Sequence, residues 1–182
     1  MAEEVAVLAG GCFWCTEAVF NDVIGVKSVE SGYTGGTVAS PSYKQVCGGD
    51  TGHAEAIRVT YDPDVIPYGE LLDIFFAIHD PTQLNRQGND VGTQYRSAIF
   101  PQNAHQQQEA QRALDRAESH WDGKIVTTIE PKSEWWSAED YHQSYWEGEG
   151  QRNPYCIASI PPKLQKLRKS FQARVKGESA AY

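Results

Sequence analysis

The chain has 182 residues, of which 40% are hydrophobic, and its formal net charge is -8 at pH 7. A chain of this length and composition buries enough apolar surface for one folded domain. The acidic balance argues against nucleic acid as the main partner, and no apolar run reaches the roughly 20 residues that a membrane span requires. The first apolar stretch follows two acids, unlike a signal peptide. We expect a single domain over residues 1–182 that is cytoplasmic and monomeric.

Strands and helices alternate in the first half of the chain. Hydrophobic spacing predicts strands over residues 4–9, 26–33 and 54–61, and helices over residues 12–22 and 67–79. Polar loops are predicted over residues 34–52 and 80–93. Loops of that length in a compact domain are usually functional.

The second half of the chain begins with strands predicted over residues 95–100 and 124–130, on either side of a polar helix over residues 103–120. Residues 131–182 form a largely irregular extension that ends in a basic helix. Pro161 and Pro162 open that helix, which runs to about residue 175 before a loose tail, and its lysines, Lys163 among them, are predicted to be solvated. The order of elements predicts an α+β two-layer sandwich with a mixed β-sheet, flanking helices and a ferredoxin-like core.

The segment Gly10-Gly11-Cys12-Phe13-Trp14 places a cysteine at the junction between a strand and a helix. Glycines permit a sharp turn, and the N–H groups and positive dipole end of a helix favour a thiolate. Most free cysteines are buried and behave as small hydrophobic side chains. The position after two glycines favours a reactive Cys12 instead.

Cys12 and Cys15 form a Cys-x-x-Cys pair, which predicts side chains close enough for a disulfide. A thioredoxin-like dithiol is therefore one hypothesis, although the two aromatic residues between the sulfurs favour a pocket for a small apolar group. A zinc site would need two more ligands, such as Cys47 and His53. The sequence has no second Cys-x-x-Cys pair and no His-x-x-x-His pair, so the evidence for zinc is weak.

Glu55 begins a predicted strand directly after the first long loop. If strand alternation puts Glu55 on the same face as Ile57 and Val59, its carboxyl points inward. A carboxyl in an apolar setting stays protonated near neutral pH and serves as a general acid. An exposed strand-end glutamate is the alternative, which the residues alone slightly favour.

Five separated motifs together resemble the A-type peptide methionine sulfoxide reductases over about residues 6–160. They occur in the order expected of that family, at residues 11–14, at Tyr43 with Cys47, and at residues 52–55, 87–97 and 138–143. The resemblance implies reduction of the S-epimer of methionine sulfoxide, free or in proteins, by a single catalytic domain. It implies thioredoxin as the external reductant and neither a metal nor another cofactor.

The resemblance also implies roles for individual residues. Cys12 attacks the sulfoxide sulfur, and Glu55 protonates the sulfoxide oxygen, which is otherwise a poor leaving group. The hydroxyl groups of Tyr43 and Tyr95 donate hydrogen bonds to that oxygen. Further residues of the same site are the aromatic walls that grip the S-methyl group and an acid that supports them, namely Phe13, Trp14 and Asp90.

A second thiol resolves the sulfenic acid that forms on Cys12. In the family the resolving cysteine lies in a flexible C-terminal segment, and Cys156 occupies the matching position here. This chain departs from many relatives, which have glycine in place of Cys15. Because Cys15 is closer to Cys12 in the sequence than Cys156 is, it is the second candidate for the resolving thiol. Cys47 ranks last. A thioredoxin-like oxidoreductase and a non-catalytic peptide-binding module remain the alternative functions.

Overall fold

The computed structural model describes residues 3–88, 90–121 and 124–175. The strands are β1 Glu4–Gly10, β2 Val26–Thr34, β3 Ala54–Tyr61, β4 Arg86–Gln87, β5 Asp90–Val91, β6 Ser97–Phe100, β7 Thr128–Ile129 and β8 Trp136–Ser137. The α-helices are α1 Phe13–Phe20, α2 Tyr43–Cys47, α3 Tyr68–Ile78, α4 Ala104–Glu118 and α5 Pro154–Ser170, and short 3-10 helices cover Thr93–Tyr95, Asp140–His142, Glu149–Arg152 and Gln172–Arg174. Within the described residues no helix is long and apolar enough to cross a membrane. The predicted loose tail, residues 176–182, lies outside them.

The main sheet has six strands in the order β7-β6-β1-β3-β2-β8. All neighbouring strands are antiparallel except β6 and β7, which are parallel. The inner order β6-β1-β3-β2, with α1 after β1 and α3 after β3, is the split βαβ arrangement of a ferredoxin-like core. The predicted α+β architecture with a mixed sheet is confirmed.

Alternation along β3 divides the two faces of the sheet. Glu55, Ile57 and Val59 are at most 1% exposed, and Ile57 and Val59 belong to the large apolar cluster that includes residues of α1, α3 and α5. Ala54 and Ala56 belong to a smaller cluster of mostly small side chains on the opposite face. Glu55 therefore lies on the helix-covered face, where its carboxyl is taken out of water.

Three local predictions differ from the structure. The strand predicted over residues 124–130 is reduced to β7, because Thr128 and Ile129 are its only residues in register with β6. Tyr95 lies in a 3-10 turn before β6, and its N–H donates to the carbonyl of Gly92. The two long loops contain α2 and the β4–β5 hairpin.

Helix α5 begins seven residues before the predicted start at Pro161. Pro154 occupies its first turn, where a missing N–H costs nothing, and the Asn153 side chain caps the helix. Pro161 and Pro162 lie inside the helix and remove two internal hydrogen bonds. A buried stripe of side chains on one face of α5 compensates for that loss, and it consists of Cys156, Ile160, Leu164 and Leu167.

Replacing Asn153 with Ala should lower the free energy of unfolding by about 1 kcal/mol, because the Asn153 Oδ1 accepts the N–H groups of Tyr155 and Cys156 at 2.9 and 3.4 Å. Urea denaturation measures the change. Asn153→Ser should retain most of the stability, since serine also caps helices. An Asn153→Ala variant as stable as the parent would place the helix start elsewhere.

Candidate active site

Cys12 is the residue that caps the N-terminus of α1, as the sequence predicted. Its backbone is extended, and its side chain is half-buried. Gly11 before it has φ +91, and a Cβ there would lie 2.8 Å from the Cβ and Cγ of Gln87. Glycine is therefore required both for the backbone turn and for the close approach of the loop that carries Gln87.

Glu55 lies directly against the N-terminus of α1. The Phe13 N–H, one of the first helical N–H groups without a partner inside the helix, donates to Glu55 Oε1 at 3.2 Å. Glu55 Oε2 is buried and has no hydrogen-bond partner within the described chain. Burial raises the pKa of Glu55 to about 8, against the lowering effect of the Phe13 N–H. The carboxyl is therefore protonated at neutral pH, with one oxygen available to donate.

The thiols of Cys12 and Cys15 are hydrogen-bonded to one another. That bond, burial and the nearby Glu55 carboxyl raise the pKa of Cys12, while the N–H of Trp14 acts in the opposite direction. The same bond lowers the pKa of Cys15 against the effect of burial. Because the two thiols share this bond, they titrate as a pair, and the first negative charge belongs to the pair.

Tyr43 and Tyr95 both lie near Glu55. Burial and the proximity of the Glu55 carboxyl raise the pKa of each tyrosine, so both phenols remain protonated donors. Glu139 positions Tyr43 at the start of α2. Its carboxylate accepts one hydrogen bond from the Tyr43 N–H and one from the Tyr33 hydroxyl, at 2.9 Å each. The structure thus brings two hydroxyl donors to the carboxyl, although residues 43, 55 and 95 are far apart in the chain.

The two predicted aromatic walls differ in exposure. Phe13 is fully buried and contacts the rings of Tyr33 and His142, with centroid distances of 5.6 and 5.2 Å. Trp14 is half-buried and stacks on Tyr145 at 4.1 Å with an interplanar angle of 15°. Trp14 therefore offers ring surface to a ligand in this structure, while Phe13 packs behind it.

His142 orients Trp14, a role that its scattered position in the sequence did not reveal. The Trp14 Nε1–H donates to His142 Nδ1 at 3.0 Å. Burial lowers the pKa of His142, and the indole only donates, so the ring is neutral with its hydrogen on Nε2. His142 also lies 4.5 Å from the Tyr43 ring, between centroids. In the sequence, only the position of His142 within the motif at residues 138–143 indicated that it belongs to the site.

The pairing of β8 with β2 and several side-chain hydrogen bonds hold the irregular segment after β7 against the core. Gln143 bonds both the N–H and the carbonyl of Ser31 in β2, at 2.9 and 2.8 Å. Glu17 in α1 accepts the Ser144 N–H at 2.9 Å. These contacts fix the turn that carries His142 and Tyr145 beside α1.

Cys156 lies in a helix, not in the irregular segment that the sequence predicts there. Cys156 is fully buried in the first turn of α5, because the Asn153 cap and the apolar face of α5 order this segment. Burial, followed by the nearby Cys15, raises the pKa of Cys156 to about 12. Its neighbour Tyr155 donates a hydrogen bond to Asp90 and so ties the start of α5 to β5.

Cys47 and His53, the additional ligands of the zinc hypothesis, are used differently. Cys47 is exposed at the end of α2. The ring nitrogens of His53 lie 3.0 Å from the Gly36 N–H and 2.7 Å from the Val38 carbonyl, so His53 holds the first long loop. Across residues 3–88, 90–121 and 124–175 no group of three or more His, Cys, Asp or Glu side chains is arranged to hold a metal ion.

Comparison with known proteins identifies the family. Residues 4–175 match the sequence profile described as "Peptide methionine sulfoxide reductase". A relative from Erwinia tasmaniensis, "Peptide methionine sulfoxide reductase MsrA", is 67% identical over 95% of this chain and 97% of its own. The reduced form of Mxr1 from Saccharomyces cerevisiae superposes with a TM-score of 0.75 at 39% identity, over 84% of this chain and 86% of that one. The same yeast protein in complex with Trx2 gives a TM-score of 0.54 at 28% identity, over 79% and 84%. The chain belongs to the peptide methionine sulfoxide reductase family.

Proposed function

We propose that this chain, acting as a single catalytic domain, reduces the S-epimer of methionine sulfoxide, free or in proteins, through a cysteine sulfenic acid. The observation that carries the proposal is the contact between the start of α1 and Glu55, which places a protonated carboxyl beside Cys12. A sulfoxide needs a nucleophile at sulfur and an acid at oxygen together. Membership of the reductase family favours this function over a thioredoxin-like oxidoreductase.

The chemical step requires the proton of Cys12 to cross the hydrogen bond to Cys15. The Cys12 thiolate then attacks the sulfoxide sulfur, and Glu55 protonates the oxygen while Tyr43 and Tyr95 donate hydrogen bonds to it. Oxygen transfers to Cys12, methionine leaves, and Cys12 becomes the sulfenic acid. Two negative charges close together are unfavourable, so Glu55 keeps its proton while the thiol pair is ionised.

Replacing Cys12 with Ser should abolish reduction, because a serine hydroxyl is not ionised at neutral pH and forms no sulfenic acid. The measurement is methionine release from each epimer of a blocked methionine sulfoxide with dithiothreitol as reductant. Cys47→Ser, at an exposed thiol, is the control and should remain active. Appreciable turnover by Cys12→Ser would contradict the assignment.

Replacing Glu55 with Gln should slow the single-turnover rate constant by roughly 10²- to 10⁴-fold, because glutamine donates a hydrogen bond but no proton. In the parent protein the protonated form of Glu55 is the active one, so the rate should fall as pH rises through the Glu55 pKa of about 8. Glu55→Gln should lack this alkaline decline. A variant within a few-fold of the parent would assign the proton to Tyr43, Tyr95 or water.

We propose Cys15 as the first partner of the Cys12 sulfenic acid, with Cys156 as the alternative. Cys15 is hydrogen-bonded to Cys12 and holds the proton that Cys12 releases, so the Cys15 thiol condenses with the sulfenic acid and releases water. Cys156 is held in a helix, and its raised pKa disfavours the thiolate. The helical position of Cys156 is the reason for ranking it second here, although the sequence ranks it first.

Single-turnover and steady-state assays of Cys15→Ser and Cys156→Ser separate the two candidates. Cys15→Ser, which also removes the acceptor of the Cys12 proton, should release a single equivalent of methionine more slowly than the parent and then stop in the presence of thioredoxin. Cys156→Ser should continue to turn over. Peptide mapping of the oxidised parent should recover Cys12 joined to Cys15. A block in Cys156→Ser with normal recycling by Cys15→Ser would restore the original ranking.

Thioredoxin as the reductant is supported by the yeast relative that was crystallised in complex with Trx2. Cys12 is half-buried, whereas Cys15 is 3% exposed, so Cys12 is the sulfur of a Cys12–Cys15 disulfide that an external thiolate reaches. The acidic composition is consistent with a cytoplasmic monomer that has protein and small-molecule substrates and no nucleic-acid partner.

A further inference from the structure

The turn before the nucleophile consists of two successive glycines, Gly10 and Gly11, and glycine restricts the backbone less than any other residue. Cys12 follows directly, so freedom in these glycines becomes freedom in the position of its sulfur. A sulfoxide is reduced only when the Cys12 sulfur and the Glu55 carboxyl meet it together, and misplacement by about 1 Å can cost roughly 10²-fold in rate. The turn therefore needs support from outside its own backbone.

The side chain of His79 supports Gly10, the first glycine of the turn. A Cβ on Gly10 would lie 3.0 Å from the Phe75 ring and 3.3 Å from the His79 ring. The His79 nitrogens lie 2.5 Å from the Phe75 carbonyl and 2.8 Å from the hydroxyl of Ser97, which pairs with Gly10 in the sheet. Because a carbonyl only accepts, the hydrogen of the neutral ring is on Nδ1. Both nitrogens are bonded, so the chain at His79 is an anchored base under the turn.

Gln87 connects that base to Gly11, the second glycine of the turn. The Gln87 Oε1 accepts the Asp80 N–H and the Gln87 Nε2 donates to the Asp80 carbonyl, at 2.9 Å each. Both ends of the amide are therefore bonded to one backbone residue, which holds the side chain in one orientation. Its Cβ and Cγ lie 2.8 Å from the place where a Cβ on Gly11 would be, and no other atoms of the described chain beyond the neighbours of Gly11 lie within 4 Å of that place. The Gln87 carbons thus oppose rotation of Gly11 away from its φ of +91.

The hairpin that carries Gln87 is also fixed on its other strand. Gln87 in β4 pairs with Asp90 in β5, and Asp90 accepts the hydroxyl hydrogen bond of Tyr155 at the start of α5. The Gly92 N–H donates to the Asn85 carbonyl at 2.9 Å and closes the hairpin. Gln87 is thus held from both strands of the hairpin while its side chain lies against the turn.

We propose that Gln87 is a positioning residue that holds the Gly10–Gly11 turn and so sets the position of Cys12 relative to Glu55. The proposal rests on the proposed function and deepens it, because sulfoxide reduction needs the thiolate and the acid at the same time. Alkylation of Cys12 by iodoacetamide needs the thiolate alone. Loss of the Gln87 side chain should therefore affect these two reactions of the same sulfur differently.

The experiment compares both reactions in the full chain, in a Cys47→Ser background that removes the exposed thiol. Gln87→Ala should slow the saturating single-turnover rate constant of methionine sulfoxide reduction by roughly 10- to 10²-fold. The half-saturating substrate concentration and the rate constant for alkylation of Cys12 should stay within a few-fold of the parent values. Gln87→Met keeps the two carbons that contact Gly11 and should recover most of the reduction rate.

Gln83→Ala is the matched control, because Gln83 is a glutamine of the same loop whose Oε1 accepts the Gly88 N–H at 2.6 Å but which does not contact Gly11. It should leave the reduction rate constant within a few-fold of the parent value. Reduction by Gln87→Ala as fast as by Gln83→Ala would overturn the proposal. Equal slowing of reduction and alkylation would also overturn it, since that result assigns the loss to thiol ionisation.

The Phe13 amide reports the same geometry without a substrate, because its N–H donates to Glu55 Oε1 at 3.2 Å. Hydrogen exchange of this amide, followed by NMR, should be faster in Gln87→Ala and unchanged in Gln83→Ala. Unchanged exchange in Gln87→Ala would overturn the proposal. Faster exchange in a protein whose parent form reduces no sulfoxide would instead refute the proposed function and leave the role of Gln87 intact.

Discussion

The site depends on the hydrogen bond between the first N–H of α1 and the buried carboxyl of Glu55. The bond satisfies a helical N–H that has no other partner, and it holds the Glu55 carboxyl against the helix end that begins at Cys12. Glu55 is buried only because β3 turns this side chain toward the helix layer. The raised pKa that makes it an acid is therefore a consequence of the same packing that forms the core.

The aromatic residues of the site are held by the segment after β7, on the other side of α1. The segment after β7 has little regular structure, yet Gln143, Glu139 and Glu17 anchor it through hydrogen bonds between side chains and backbone. Each anchor contacts β2, α2 or α1. His142 and Tyr145 are consequently held in place on both sides of Trp14.

The charge of the Cys12–Cys15 pair depends on groups from β3, β5 and α5. Glu55 and Asp90 oppose ionisation, while Lys163 favours it. Because the thiols share one hydrogen bond, the charge belongs to the pair rather than to either sulfur. Helix α5 begins at Pro154 rather than at Pro161, and Cys156 is buried in its first turn.

The sequence by itself determined the type of the fold and the chemistry of the site. Glycine before Cys12 and alternation around Glu55 are local patterns, and local patterns follow from backbone sterics and from the period of strands and helices. Only the tertiary structure decided which distant residues meet. Trp14 and His142 are 128 positions apart, and no periodicity connects such residues. The same holds for Cys156 inside a helix, where packing of an apolar face outweighed two prolines that locally disfavour a helix.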